Sequence, residues 1–98
     1  MTETEFLSHV KQLFDQLALR IEADFPDFDV NQHGAILEIE NDDGAKIIIN
    51  QQTAMQEVWL ASREGGYHFK WAEGVWINTR DGGVFDEYLS KALSLLED

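Results

Sequence analysis

Between Phe6 and Ile21, apolar residues recur at three- and four-residue steps: Phe6, Leu7, Val10, Leu13, Phe14, Leu17 and Ile21 share one face. That period predicts an amphipathic helix from Thr2 or Thr4 to Ala23. Thr2 followed by Glu5, or Thr4 alone, supplies the N-terminal cap, and Pro26 closes the segment by forcing its predecessor out of helical geometry. The period then shortens to about two residues, as strands require. Strand-like runs are expected around Phe28 to Gln32, Ile36 to Glu40, Ala45 to Asn50, Gln56 to Ser62, Tyr67 to Trp71 and Val75 to Asn78. His33-Gly34, Asn41-Asp42-Asp43-Gly44, Gly65-Gly66 and Glu73-Gly74 separate them, with Asp43-Gly44 the strongest hairpin signal. Asp81-Gly82-Gly83 leads into a last helix whose stripe is Phe85, Tyr88, Leu89, Ala92, Leu93 and Leu96.

Helix, five or six strands and helix predict an α+β two-layer sandwich. Its antiparallel sheet packs one face on both helices and leaves the other to solvent. Residues 1–98 form a single domain, without repeats or linkers. In Glu57–Ser62, Val58 and Leu60 are the core-facing pair, so Trp59 shares the opposite face with Glu57 and Ala61. With Ile47, Ile49, Tyr67 and Phe69 inward, Ile48, Asn50, Trp59 and His68 form one outward patch. A tryptophan on the polar side of a sheet fits either a partner surface or shielding by a cross-strand neighbour. Periodicity leaves both readings open.

Asn50-Gln51-Gln52, then Val58-Trp59-Leu60-Ala61-Ser62, then Gly65-Gly66-Tyr67-His68-Phe69 resemble, in order and spacing, the central motif of the bacterial frataxin family. The similarity extends from Glu5-Phe6 to the last helix. It implies a frataxin-like fold, an iron-binding acidic ridge on the first helix and first strand, and a role in iron–sulfur cluster assembly. The implied partners are a cysteine desulfurase and an iron–sulfur scaffold protein.

Charge sharpens this expectation. The net charge is −12, and residues 1–43 hold eleven acidic and two basic side chains while residues 44–98 hold eight and five. Such a field repels nucleic acid and anionic membranes and attracts cations and basic protein patches. With no cysteine, neither a disulfide, a thiolate zinc site nor a cysteine-ligated cluster is possible within this chain. The acidic N-terminus does not begin like a secretory signal, and no apolar run reaches bilayer length. A cytoplasmic protein is expected, with neither nucleic acid nor membrane as partner.

Asp15 and Glu22 lie within about 20° of each other on a helical wheel, beside Lys11 and Ser8. Asp24, Asp27 and Asp29 follow, and a first strand running back along the helix would align all five as an exposed ridge. Carboxylates suit Fe²⁺, Fe³⁺, Mn²⁺, Ca²⁺ or lanthanides. The glycine and terminal glutamate of an EF-hand loop are missing, as is any His-Glu-x-x-His, so weak, multi-site, salt-sensitive binding is expected. A merely solvated acidic face is the bland alternative for such a run, and the resemblance tips the balance towards iron. Leu19, Ala23, Asn31 and Gln32 stand where the family's ridge could continue with acids, which leaves the number and strength of sites open.

Glu3, Glu5 and His9 are weaker metal candidates, with His9 read chiefly as a surface residue of the first helix. His33 is given a loop role. Asn50, Gln52, Trp59 and His68 are the expected partner-binding residues. Nucleophilic elbows, phosphate loops and pocketed acids are missing from the sequence, so an enzyme is not expected. Three hypotheses remain: an iron-binding regulator or iron donor of cluster assembly, monomeric and docking on the desulfurase–scaffold complex; ferroxidase and iron storage in metal-dependent oligomers; or an acidic interaction module without a metal role. In this family a segment after the last helix can cover the space between the helices, whereas here Asp98 closes the sequence. With like-charge repulsion along the ridge as well, low stability at low salt, raised by divalent cations, is expected.

Overall fold

The computed structural model describes residues 1–97; Asp98, on which the expectation of a missing tail rests, lies outside the described residues. Helix α1 spans Glu3–Asp24, capped by Thr2. Thr2 Oγ1 accepts the Glu5 N–H at 3.1 Å, and the Glu5 carboxylate accepts the Thr2 N–H at 2.8 Å, a reciprocal capping box. Six strands follow: β1 Asp29–His33, β2 Ile36–Glu40, β3 Lys46–Gln52, β4 Glu57–Ser62, β5 Gly65–Ala72 and β6 Val75–Asn78. Helix α2, Phe85–Glu97, ends the order. A single 3₁₀ turn, Thr53–Met55, interrupts the path from β3 to β4 and was not anticipated.

The sheet is a meander in sequence order, every neighbouring pair antiparallel. Each connection has a local cause. Gly44 takes φ 85° in the Asn41–Gly44 turn, where the Asn41 carboxamide oxygen accepts the N–H groups of Asp43 and Ala45. Between Asp81 and α2, a Cβ on Gly83 would stand 2.9 Å from the Tyr88 ring, so any larger residue there requires that ring to shift.

One face of the sheet is buried against both helices. Leu37, Ile39, Ile47, Ile49, Val58, Leu60 and Phe69 meet Phe6, Val10, Phe14, Leu17 and Ile21 of α1 and Phe85, Leu89, Leu93 and Leu96 of α2. The α+β two-layer sandwich read from the sequence is the fold observed. Among the described residues, no helix is long and apolar enough to cross a membrane.

Candidate functional site

On the sheet's other face, register sets side chains in cross-strand rows. Asn50, Trp59 and His68 stand directly opposite one another on β3, β4 and β5. The next row is Gln52, Glu57 and Lys70, and on the other side of Trp59 lie Ile48, Ala61 and Gly66. The small Ala61 and Gly66 leave room beside two aromatic rings. Val58 and Leu60 are buried, as alternation required, and their neighbour Trp59 points outward. The expected patch of Ile48, Asn50, Trp59 and His68 is thus assembled by the observed register.

Trp59 is half-buried, and shielding by a cross-strand neighbour, one of the two readings left open by the periodicity, is observed. Its indole stacks on His68, with ring centroids 4.2 Å apart and planes 8° apart. Its Nε1–H donates to Glu57 Oε1 at 2.8 Å. The cross-strand neighbour shields one part of the ring while the row remains at the surface.

Glu57 was missed as a functional candidate. Alternation put it on the solvent side, yet only 4 % of it is exposed. It begins β4 immediately after Gln56, a non-glycine residue at φ 52° that reverses the chain out of the 3₁₀ turn. His68 Nδ1 lies 3.6 Å and Lys70 Nζ 4.0 Å from its carboxylate. The available signal was its position two residues from Trp59 on one strand face.

The acidic candidates are dispersed. Asp15, Glu22, Asp24, Asp27 and Asp29 are all exposed, and Asp15 pairs with Lys11 Nζ at 2.7 Å. Asp29 faces Glu40 across the β1–β2 pair, two carboxylates in register, with Lys46 opposite Glu40 on its far side. Among the described residues, no three His, Asp or Glu side chains are grouped to hold a metal ion.

The weaker candidates divide further. Glu3 is exposed. Glu5 is engaged in the cap, where the Thr2 backbone N–H, and then its hydroxyl, hold the carboxyl below its usual range. The reading of His9 as chiefly a surface residue is corrected. Its ring stacks on Trp71 at 3.9 Å and 17°, and its Nδ1 is buried without a hydrogen-bond partner among the described residues. The helical stripe is broad enough to carry position 9 against the sheet. His33 closes β1 rather than lying in the loop, 3.9 Å from Glu38. A groove of about 410 Å³ is lined by His9, Leu13, Trp71, Val75 and Asp86 among others; Asn50, Gln52, Trp59 and His68 do not line it.

Comparison with known proteins bears on family and fold. The model of the frataxin-like domain matches residues 1–96. The iron-sulfur cluster assembly protein CyaY of Neisseria meningitidis serogroup B is 45% identical over 94 residues, covering 96% of this chain and 88% of the relative. The protein of the same name from a Janthinobacterium species is 46% identical over 99 residues, with the same coverage. Among solved structures, frataxin from Psychromonas ingrahamii superposes with a TM-score of 0.88 at 36% identity, covering 95% of this chain and 89% of that one. Trimeric yeast frataxin complexed with ferrous iron has a TM-score of 0.73 at 23% identity, covering 100% and 88%, a likeness of fold.

Proposed function

This chain belongs to the frataxin family, and from that premise we propose that it is an iron-binding accessory protein of iron–sulfur cluster assembly. It docks on a cysteine desulfurase–scaffold complex and regulates that complex or brings iron to it, without being an enzyme itself. The observation that carries the docking reading is the Asn50–Trp59–His68 row, an aromatic pair on the sheet face opposite the one that packs on both helices. Large aromatics beside side-chain amides are what protein interfaces use as anchors.

The acidic candidates supply the second half of the reading. Asp15, Glu22, Asp24, Asp27 and Asp29 are exposed and belong to the more strongly negative part of the chain. They attract Fe²⁺ as cargo and steer a basic partner surface towards the protein. Iron held by one or two solvated carboxylates exchanges readily, which suits transfer better than storage, and other divalent or trivalent cations occupy the same oxygens. The protein acts in the cytoplasm, as a monomer.

The test is a binding assay against a purified desulfurase–scaffold assembly over a salt series, alongside an anaerobic Fe²⁺ titration followed by amide shifts. Expected are salt-weakened binding, its loss in Trp59→Ala, and shifts concentrated in residues 15–29. Trp59→Ala binding as tightly as the parent removes the docking role of the sheet face. Amide positions unmoved at every iron level remove the metal role.

A further inference from the structure

The geometry points to Glu57 as the positioning residue of the Trp59–His68 face: its buried carboxylate clamps the indole in the orientation that a partner meets. This rests on the reading that the face docks. Three observations carry it. Glu57 and Asn78 are the buried polar residues among those described, and Glu57 alone of the two is charged. Its one directed side-chain bond comes from the Trp59 indole at 2.8 Å, within the range of a charge-assisted hydrogen bond. The His68 imidazole and the Lys70 ammonium flank it at 3.6 and 4.0 Å, too far to replace that bond.

The chemistry follows from what each group lacks alone. A tryptophan on an open sheet face can turn between rotamers, and a partner that binds one of them bears the entropy of fixing it. A carboxylate desolvated at the start of β4 needs a donor. The indole N–H meets that need only when the ring leans along β4 towards Glu57, and that orientation lays the ring over His68 with planes 8° apart. Glu57 therefore preorganises the stack without itself being presented, since its side chain is 6% exposed.

Three measurements test this. In the isolated protein, the Trp59 indole N–H should exchange with solvent slowly and its resonance should shift in Glu57→Ala. For the complex, Glu57→Ala should weaken binding about three- to tenfold. Glu57→Gln, whose amide oxygen still accepts the N–H, should recover most of that loss. In a Trp59→Phe background, which has no N–H to clamp, Glu57→Ala should cost no further affinity. An equal cost in both backgrounds shows that Glu57 acts by itself and overturns the proposal. So does an indole N–H in the parent that exchanges as fast as an exposed one, a result that needs no variant to fold. If the parent fails to bind the assembly, the docking reading falls, and the exchange and resonance measurements still decide whether the clamp exists.

Discussion

Replacing Trp59 by alanine should cost stability as well as binding, and the two costs must be separated before either is interpreted. Two contributions can be worked from the structure. The stacked pair with His68, at 4.2 Å, is worth about 0.5–1.5 kcal/mol beyond simple burial. Removing the indole N–H leaves the Glu57 carboxylate buried without its donor, a loss of about 1.5–3 kcal/mol for a charged acceptor. Together these come to about 2–4.5 kcal/mol, against about 0.5 kcal/mol for an ordinary surface substitution. Domains of this size have roughly 5–15 kcal/mol to lose, so the variant should remain folded at 25 °C. Urea denaturation is the assay, and the midpoint should fall by about 1–2 M with an unchanged slope. Trp59→Phe, which keeps a ring but loses the donor, should fall between parent and alanine. A loss below about 0.5 kcal/mol for Trp59→Ala refutes the reasoning, because it means the indole is neither stacked nor bonded in solution.

Asp81 and Tyr88 should make stability depend on pH at both ends of the scale. The Tyr88 hydroxyl, and then the Gly83 N–H, hold the Asp81 carboxyl below its usual 3.8, while Asp81 pushes the Tyr88 phenol above its usual 10.0. The Asp81 contribution is present above its unfolded pKa and lost as pH falls through the lower folded value. That of Tyr88 is present below its unfolded pKa and lost as pH rises through the higher folded value. Against Tyr88→Phe in denaturant titrations, the parent's advantage should shrink in acid and in alkali; a constant difference contradicts the assignment. The net charge of −12 should make the thermal midpoint climb between low and moderate salt, as the screening length shortens from about 30 to 10 Å, and climb again with millimolar divalent cations. A midpoint indifferent to both rules out like-charge strain. In stopped-flow binding, Asp15→Asn with Glu22→Gln should lower the association rate and its salt dependence, whereas Trp59→Ala should raise the dissociation rate. The opposite partition refutes the division of labour between exposed carboxylates and sheet face.

Most of the fold was legible because each element carried its own period and its own punctuation. The stripe Phe6–Val10–Phe14–Leu17–Ile21 could only be a helix buried on one side, and Thr2 with Glu5 capped it as expected. Asp43-Gly44 and Glu73-Gly74 placed two hairpins. The Asn50–Trp59–His68 row followed from alternation once neighbouring strands were paired. What was not legible depends on atoms distant in sequence or on backbone conformations that residue types do not announce. Glutamine is not a usual residue for φ 52°, so nothing in Gln56 foretold the reversal that begins β4 at Glu57. Alternation gives the direction of a side chain but not its burial, and Glu57 is covered on the face that alternation assigns to solvent. His9 shows the same limit on a helix, since its stacking partner Trp71 lies 62 residues away by numbering. The acidic residues were identified correctly as exposed, but one-dimensional spacing gave no warning that Asp29 would face Glu40.

Glu57 and Asp15 carry the same functional group, and their surroundings give them opposite physical uses. The Asp15 side chain is 52% exposed and already pairs with Lys11, so its interaction with any one partner is heavily screened and worth a fraction of a kcal/mol. Its usefulness lies in adding to a field that acts at a distance and fades with salt. Glu57 contributes little to that field's reach, but a carboxylate out of water cannot tolerate the loss of its donor. Its charge is converted into geometry, namely one orientation for one indole. A long-range field selects a sign of charge and nothing finer, whereas an oriented indole beside Asn50 selects shape and hydrogen-bond pattern. Acidity alone would let this protein gather near any basic surface. On the docking proposed above, discrimination among such surfaces falls to the sheet face, where the carboxylate that solvent scarcely reaches orients the indole.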